Sequence, residues 1–570
     1  MDYQPRAEEI LALLKHAAGL DEALAALPVF READPPLIQQ VLEEAGKFVG
    51  ERIAPLTRVG DETGARFAGG QVTMPPGFRA AYQAFWQGGW PALAASPAHG
   101  GQGLPAVLEC VLYEWLSAAN HGWTMAPGLL HGAYECLKHH AGADLQARYL
   151  EKIATGEWLA TMCLTEPHAG SDLGLVRTRA LPQADGTYRL SGTKIFISGG
   201  EHDLTDNIVH LVLARLPDAP PGPKGLSLFV TAKFLPDGAR SAVHCERIEE
   251  KMGLHGSPTC VMRFDEAVAW MVGEPGRGLA AMFVMMNSAR LHVALQGIGL
   301  LDAAWQKADA YARERRQMRA PGAARAGEAA DPIIRHPAVR RTLDTQRAWV
   351  DGARVLAYRT GIELDIAQHH EDAGRRAAAE RWCGFITPVL KAACTDQAFH
   401  GASECLQVFG GHGYVREWGI EQVVRDSRVA MIYEGTNEIQ AIDLLVRKVL
   451  PDGGAGFRAF LADLGPASVA LAERLAALGR SAAAVAAGAR SAPELPYWIA
   501  GDFLRATALA LLAWGWERIA AAGALHGERW TAPARALEAW VMPEFAMRLA
   551  IVEGGITRAE TRTPSAAAPC

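Results

Sequence analysis

A chain of 570 residues is too long for one hydrophobic core, and its 49% hydrophobic and 21% charged composition is that of several packed globular units, which excludes general disorder. The net charge of -7 gives no general attraction to phosphodiester backbones, so nucleic acid is not expected as a ligand. The apolar stretch from Ala506 to Ala522 is interrupted by Glu517 and Arg518, and Asp2, Glu8 and Glu9 stand where a leader would need cationic and apolar residues; no membrane span and a cytoplasmic location are expected.

Helical spacing of apolar residues predicts helices over Ala7 to His16, Pro36 to Arg52, Leu104 to Ala118 and Leu145 to Thr155, with Phe67 to Pro76 and SPAHGGQGLP between them as loops. From Leu164 to about Glu274 the texture changes to short runs, KIFIS, IVHLVLARL, GLSLFVTAKF and TCVMRF, which predict a small antiparallel barrel or sandwich. Long helical patterns return over about 280–315, 333–369, 376–409 and 438–449 and suggest an antiparallel bundle; an alanine-rich segment beyond Pro451 predicts an added helical domain. The fold class is therefore α+β, mostly helical. Its expected divisions are an N-terminal helical extension (1–36), an N-terminal helical domain (37–160), a middle antiparallel β-domain (161–278), a C-terminal four-helix bundle (279–450) and a C-terminal helical extension (451–570). Helices and strands are segregated, which disfavours a doubly wound parallel sheet. A G-x-G-x-x-A match at Gly276, Gly278 and Ala281 lacks a surrounding βαβ unit and reads as a glycine-rich helix entry. The nine cysteines form no C-x-x-C pair and read as isolated thiols of a reducing compartment, and no metal site is expected.

Three segments concentrate chemistry. In MCLTEPHAGSD, Thr165, Gly170 and Ser171 place hydroxyl and bare amide donors on a loop leaving a strand, where they suit the edge of a polar heterocycle or simply form a polar turn. In KIFISGG, strand alternation puts Phe196 and Ser198 on one face, either for a flat ligand or for ordinary packing. In VFGGHGYVREWGIEQVVRDSRVAMIYEGTNEIQ, Gly410, Gly411 and Gly413 make a close-approach loop, and Glu434 follows the apolar run AMIY before a helix opened by Asn437 as N-cap with Gln440 at N3. A partly desolvated carboxylate there would suit a general base; the alternative is a partner for the helix dipole.

LTEPHAGSD, KIFISGG, EKMGLHGSPT, the helix with Arg290, YARERRQ, LQVFGGHGY and IYEGTNEIQ, in this order, resemble the acyl-CoA dehydrogenase family over about residues 40–450. The extra helix near residues 5–16 and the domain beyond about 455 resemble its longer branch. The resemblance implies an N-terminal helical domain, a middle β-domain and a C-terminal four-helix bundle, with FAD as cofactor. It implies that Glu434 is the catalytic base. It assigns Leu164, Thr165, Gly170 and Ser171 to the loop against the flavin and thioester, and Phe196, Ile197 and Ser198 to the strand on the flavin's other side. Arg315, Gln407, Gly410 and Gly411 match contacts to FAD across a subunit boundary, and Thr436 and Glu438 match contacts just past the base. Ser171, Asn287, Arg290 and Gly435 match positions that touch the substrate. Phe196 stands where many members have Trp, Ser198 where Thr is usual, and RQMRAPG after Arg315 lacks the common Q-F-G ending.

The implied reaction is removal of the α-proton of an acyl-CoA thioester by Glu434 with hydride transfer from the β-carbon to flavin N5, yielding a 2-enoyl-CoA. The Glu434 amide and a flavin hydroxyl would face the enolate oxygen. Electrons would pass to an electron-transfer flavoprotein or a similar acceptor, and the protein would be a homodimer or homotetramer. Alternatives on the same fold are an acyl-CoA oxidase and, outside enzymes, a DNA-binding flavoprotein of the alkylation-response kind.

Overall fold

The computed structural model describes residues 2–322, 329–465 and 468–561, without the side chains of 284, 287 and 559–561. The chain forms two compact units: Asp2–Pro5 with Gln40–His292, and Arg6–Gln39 with Val293–Cys570.

The first unit holds a helical part and a barrel. Helices Ala106–Thr124 and Ala143–Ala154 lie where apolar periodicity places them, and a further helix, Leu130–His140, stands between them where none was expected; fully buried Trp115, Trp123, Tyr82 and Phe85 belong to the same part. The expected loop at 67–76 is in part a hairpin of β1 (Arg66–Ala68) and β2 (Gln71–Thr73). Its turn residues Gly69 and Gly70 both have positive φ, 57° and 79°, the angles that a two-residue hairpin turn demands and that glycine adopts without strain.

The barrel comprises β3 (Leu159–Cys163), β4 (Arg179–Pro182), β5 (Tyr188–Ser198), β6 (Ile208–Arg215), β7 (Leu226–Ala232), β8 (Val243–Ile248) and β9 (Thr259–Val272). The strand order is β3-β6-β4-β5-β9-β7, with β7 returning to β6 to close the ring and β8 paired on β9. Most pairs are antiparallel, as the sequence suggests. The exceptions are β3, which runs parallel to β6 from Leu159↔Ile208 to Cys163↔Val212, and a single parallel pairing of β4 with β6. The β4–β5 hairpin lies between β3 and β6 in sequence and lets the chain re-enter in the same direction. Strands β6 and β7 are buried along nearly their whole length, which is why IVHLVLAR and LSLFVTA read as continuous apolar runs. The Gly276 and Gly278 match is a helix entry: the Gly276 amide donates to Ser227 Oγ at 2.9 Å, and a Cβ on Gly278 would sit 2.3 Å from the Ser227 carbonyl carbon.

The second unit is helical. The bundle consists of the latter part of helix Gly278–Glu314, helices Pro337–His369 and Ala373–Val408, and the segment from Asn437 to Val449, which is α-helical to Ile442 and π-helical thereafter. Helix Gly278–Glu314 is long and apolar enough to cross a membrane, but 62% of its most apolar window is buried in the protein, as in a core helix. Pro388, inside Ala373–Val408, cannot donate to the carbonyl four residues earlier. That carbonyl, of Gly384, accepts from the Lys448 ammonium instead.

The C-terminal extension includes Val469–Gly488, Leu495–Ala521 and Pro543–Thr561 and is part of this unit. Helix Leu495–Ala521 lies against Pro337–His369 through glycine on both sides. A Cβ on Gly352 would meet Leu512 at 2.5 Å, and one on Gly515 would meet the Gly352 carbonyl at 3.0 Å. Trp516 Nε1 donates to the Ala348 carbonyl at 2.8 Å.

A buried ion network joins the N-terminal extension, the bundle and the C-terminal extension. Glu9 pairs with Arg347 at 3.0 Å and Arg529 at 2.8 Å. Asp302 pairs with Arg347 at 2.9 Å and Arg354 at 2.8 Å. Asp351 pairs with Arg347 at 2.9 Å and Arg529 at 2.7 Å. Burial opposes ionisation of Asp302 and Asp351, but the guanidiniums around them outweigh it and hold both carboxyls below the usual range.

Candidate active site

The expected site residues fall in both units. In the barrel unit, the loop leaving β3 and the end of β5 are joined directly: the Ile195 amide donates to the Thr165 carbonyl at 2.9 Å. Beneath them lies a buried pair that the sequence reading missed. Glu166 accepts from Lys194 Nζ at 2.9 Å, from Thr178 Oγ1 at 2.6 Å and from the amides of Arg177 and Thr178 at 2.8 and 3.0 Å. Lys194 also donates to the Leu164 carbonyl at 2.9 Å. Burial penalises the carboxylate of Glu166, but the Lys194 charge and these donors more than offset it and keep its carboxyl below the ordinary value. The pair fixes both motifs to one framework. A lysine within KIFIS signals such a partner only in retrospect, since a fully buried lysine requires one.

Strand alternation does not set the direction of Phe196. The register between β5 and β9 slips between Lys194 and Ile197, and Phe196 itself has φ 59°, so a bulge turns its ring outward. The ring is 61% exposed. A bulky residue in the left-handed region costs on the order of 1–3 kcal/mol, which is tolerated where the surroundings hold the ring out for a purpose. Ile197 is buried, Ser198 and Thr165 are half-buried and Ser171 is exposed. A Cβ on Gly170 would meet nothing within 4 Å. A bared aromatic ring, hydroxyls and open backbone at one end of the barrel suit a flat, polar heterocycle. Arg290 is buried on helix Gly278–Glu314; the side chain of Asn287 lies outside the described residues.

In the helical unit, Glu434 is half-buried and adopts φ 55°, followed by Gly435 at φ 84°. Two successive left-handed residues make a sharp loop, and only glycine fits the second, because a Cβ there would come within 2.9 Å of Gln440 Nε2. The following helix is opened by Thr436 and not by Asn437: Thr436 Oγ1 accepts from the Ile439 amide at 3.3 Å. The capping residue is therefore one position earlier than the sequence suggests: threonine also caps, and the Asn437 amide is engaged by Lys391, Thr395 and Ala392. Gln440 turns back to the loop and donates to the Glu434 carbonyl at 2.9 Å. Glu438 lies in the first turn, where its own amide and the Thr436 hydroxyl hold its carboxyl below the usual range.

Arg315 and the loop bearing Gly410 and Gly411 are supported by one aromatic cluster. Tyr311 stacks on Phe409 at 4.3 Å, its hydroxyl meets His412 Nδ1 at 2.8 Å, and His412 stacks on Trp418 at 4.7 Å. The Arg315 amide donates to the Tyr311 carbonyl at 2.8 Å, tying the arginine to this cluster. Arg315 and Gln407 are exposed, and a Cβ on Gly410 or Gly411 would meet nothing within 4 Å. The RQMRAPG segment is organised by Asp331, which accepts from the Ala320 amide at 3.0 Å and pairs with Arg335 at 3.1 Å.

Three family descriptions match the chain in succession: the acyl-CoA dehydrogenase N-terminal domain over residues 36–157, the middle domain over 161–267 and the C-terminal domain over 276–449. The chain is 43% identical to a 3-methylmercaptopropionyl-CoA dehydrogenase of Ruegeria pomeroyi across 91% of its own length and 90% of the relative's. It is 34% identical to a broad-specificity linear acyl-CoA dehydrogenase of Mycobacterium tuberculosis, covering 79% and 76% of the two chains. In fold it is similar to an acyl-CoA dehydrogenase of Bacillus anthracis solved with FAD, with a TM-score of 0.73 at 21% identity over 93% of this chain and 88% of that one. Matches that run through all three domains in order, together with this level of identity over nine-tenths of the sequence, show that the protein belongs to the acyl-CoA dehydrogenase family of FAD-dependent oxidoreductases.

Proposed function

We propose that the protein oxidises an acyl-CoA thioester to its 2-enoyl-CoA with Glu434 as the base for the α-proton. The observation that carries this reading is the Glu434 loop: a half-buried carboxylate on a backbone held in the left-handed region. Such strain persists where the position of a functional group depends on it. FAD would be held by the β3 loop at Leu164, Thr165, Gly170 and Ser171 and by Phe196, Ile197 and Ser198, with Thr436 and Glu438 beyond the base. The exposed ring and open glycine backbone of this structure fit such a group. When bound, FAD supplies the acceptor for the hydride leaving the β-carbon. The backbone amide of Glu434 serves as a donor to the thioester oxygen, stabilising charge that develops as the α-proton leaves. Ser171, Asn287, Arg290 and Gly435 contact the substrate.

Arg315, Gln407, Gly410 and Gly411 reach FAD of a neighbouring copy in a homodimer or homotetramer, consistent with their exposure on a firmly supported surface. The electron acceptor is an electron-transfer flavoprotein or a similar protein, and the location is cytoplasmic. Among the described residues, eight free cysteines, seven of them buried, accord with a reducing compartment. The leading acyl group is 3-methylmercaptopropionyl, because the 43% identical relative bears that name.

Anaerobic mixing of the flavin-loaded protein with a panel of acyl-CoA thioesters tests the function. Bleaching of the flavin by 3-methylmercaptopropionyl-CoA, faster than by linear acyl-CoAs of similar length, is expected. Bleaching by no acyl-CoA would refute the reaction, and faster bleaching by a linear acyl-CoA would refute the acyl preference.

A further inference from the structure

We propose that Lys391 and Gln440 clamp the Glu434 loop, with Lys391 as a positioning residue for the carboxylate; the proposal rests on Glu434 being the base. Lys391 lies on helix Ala373–Val408, 43 positions before Glu434, and has no exposed surface. Its ammonium donates to the Gly435 carbonyl at 2.8 Å and to Asn437 Oδ1 at 3.0 Å. Asn437 is bound to the same helix through both ends of its amide: Oδ1 also accepts from Thr395 Oγ1 at 3.2 Å, and Nδ2 donates to the Ala392 carbonyl at 3.2 Å. On the other side, Gln440, equally buried, donates to the Glu434 carbonyl at 2.9 Å and to the Gly435 carbonyl at 3.3 Å.

The two carbonyls are those of the successive left-handed residues, so the peptide planes on either side of the Gly435 Cα are both held. Glutamate relaxes out of the left-handed region unless its surroundings hold it there. A rotation of the Glu434–Gly435 peptide would redirect the Cα–Cβ bond and carry the carboxylate with it. Gln440 holds that peptide through the Glu434 carbonyl, and Lys391 holds the next one through the Gly435 carbonyl, where a charged donor bonds more strongly than a neutral one does. Space filling alone does not account for Lys391. A methionine would fill the same volume without burying a charge, and lysines are almost never fully buried unless paired with a group that needs them.

The test uses the flavin-loaded full chain and 3-methylmercaptopropionyl-CoA, with linear acyl-CoAs as further probes. In Lys391→Met, FAD content is expected to match the parent and the substrate concentration for half-maximal bleaching to stay nearly unchanged. The maximal bleaching rate is expected to fall by about 10-fold or more, toward the roughly 10² that a displacement near 1 Å produces. Gln440→Met, which neither buries nor removes a charge, is expected to show the same split with a smaller fall. In the double variant the fall is expected to be less than the product of the two, because both hold one loop.

A parental maximal rate in Lys391→Met, or a change confined to substrate affinity, would overturn the proposal. If Lys391→Met does not fold, Gln440→Met decides in the same way. Activity retained in Glu434→Gln would remove the base assignment, and the clamp with it. Activity lost in Glu434→Gln but parental in both clamp variants would remove the clamp alone.

Discussion

Glu434→Gln is expected to bind FAD, fold and assemble as the parent does, and to lose about 10² to 10⁴ in the rate at which an acyl-CoA bleaches the flavin. Glutamine has nearly the same shape, so the left-handed backbone at Glu434 and the tethers on the Glu434 and Gly435 carbonyls are preserved. What disappears is the ability to accept a proton. The α-proton of a thioester is weakly acidic, so its removal is the step that suffers most when the base is absent. Glu434→Asp keeps the carboxylate but withdraws it by one methylene, and its rate is expected to fall between those of the parent and the glutamine variant. Rapid mixing under anaerobic conditions reads both effects. A glutamine variant that bleaches at the parental rate would eliminate Glu434 as the base.

The second large effect is on stability. Asp351→Asn is expected to destabilise the helical unit by about 3–5 kcal/mol, because it leaves buried Arg347 and half-buried Arg529 with one carboxylate fewer. The loss is read as a lower urea midpoint at fixed FAD concentration. Glu9→Gln, whose carboxylate is partly exposed, is expected to show a smaller shift.

The same network sets an acid limit. Glu9, Asp302 and Asp351 titrate below the usual carboxylate range in the folded protein. Their stabilisation is therefore fully present above the unfolded pKa, near 4, and is lost as pH falls through the lower folded values. A urea midpoint unchanged in Asp351→Asn would show that the extensions are held by contacts outside the ion network, such as the packing at Gly352 and the hydrogen bond of Trp516.

Much of the fold can be read from periodicity. The strand-rich middle and the bundle appear where apolar spacing changes, and the elements that escape are short, among them the helices Phe78–Gln87 and Leu130–His140 and the hairpin set by turn chemistry at Gly69 and Gly70. The parallel pairing of β3 with β6 has no local signature, since it joins segments more than forty residues apart. In the proposed site, motif order points to Glu434, Phe196 and Arg315, but not to how they are held. Phe196 is aimed by a bulge whose only trace in sequence is an ordinary-looking strand. Lys391 stands in the apolar run PVLKAAC and Lys194 in KIFIS. A buried lysine announces that it has a partner, but not which carbonyl or carboxylate, when that partner lies at Gly435 or Glu166.

The most direct measurement compares anaerobic flavin bleaching by an acyl-CoA carrying deuterium at C2 with bleaching by the unlabelled compound. If Glu434 takes the α-proton as the flavin is reduced, the labelled thioester is expected to bleach the parent protein severalfold more slowly. Equal rates for the two compounds would mean that the C2–H bond is not broken in the step that reduces the flavin, and would contradict the role given to Glu434.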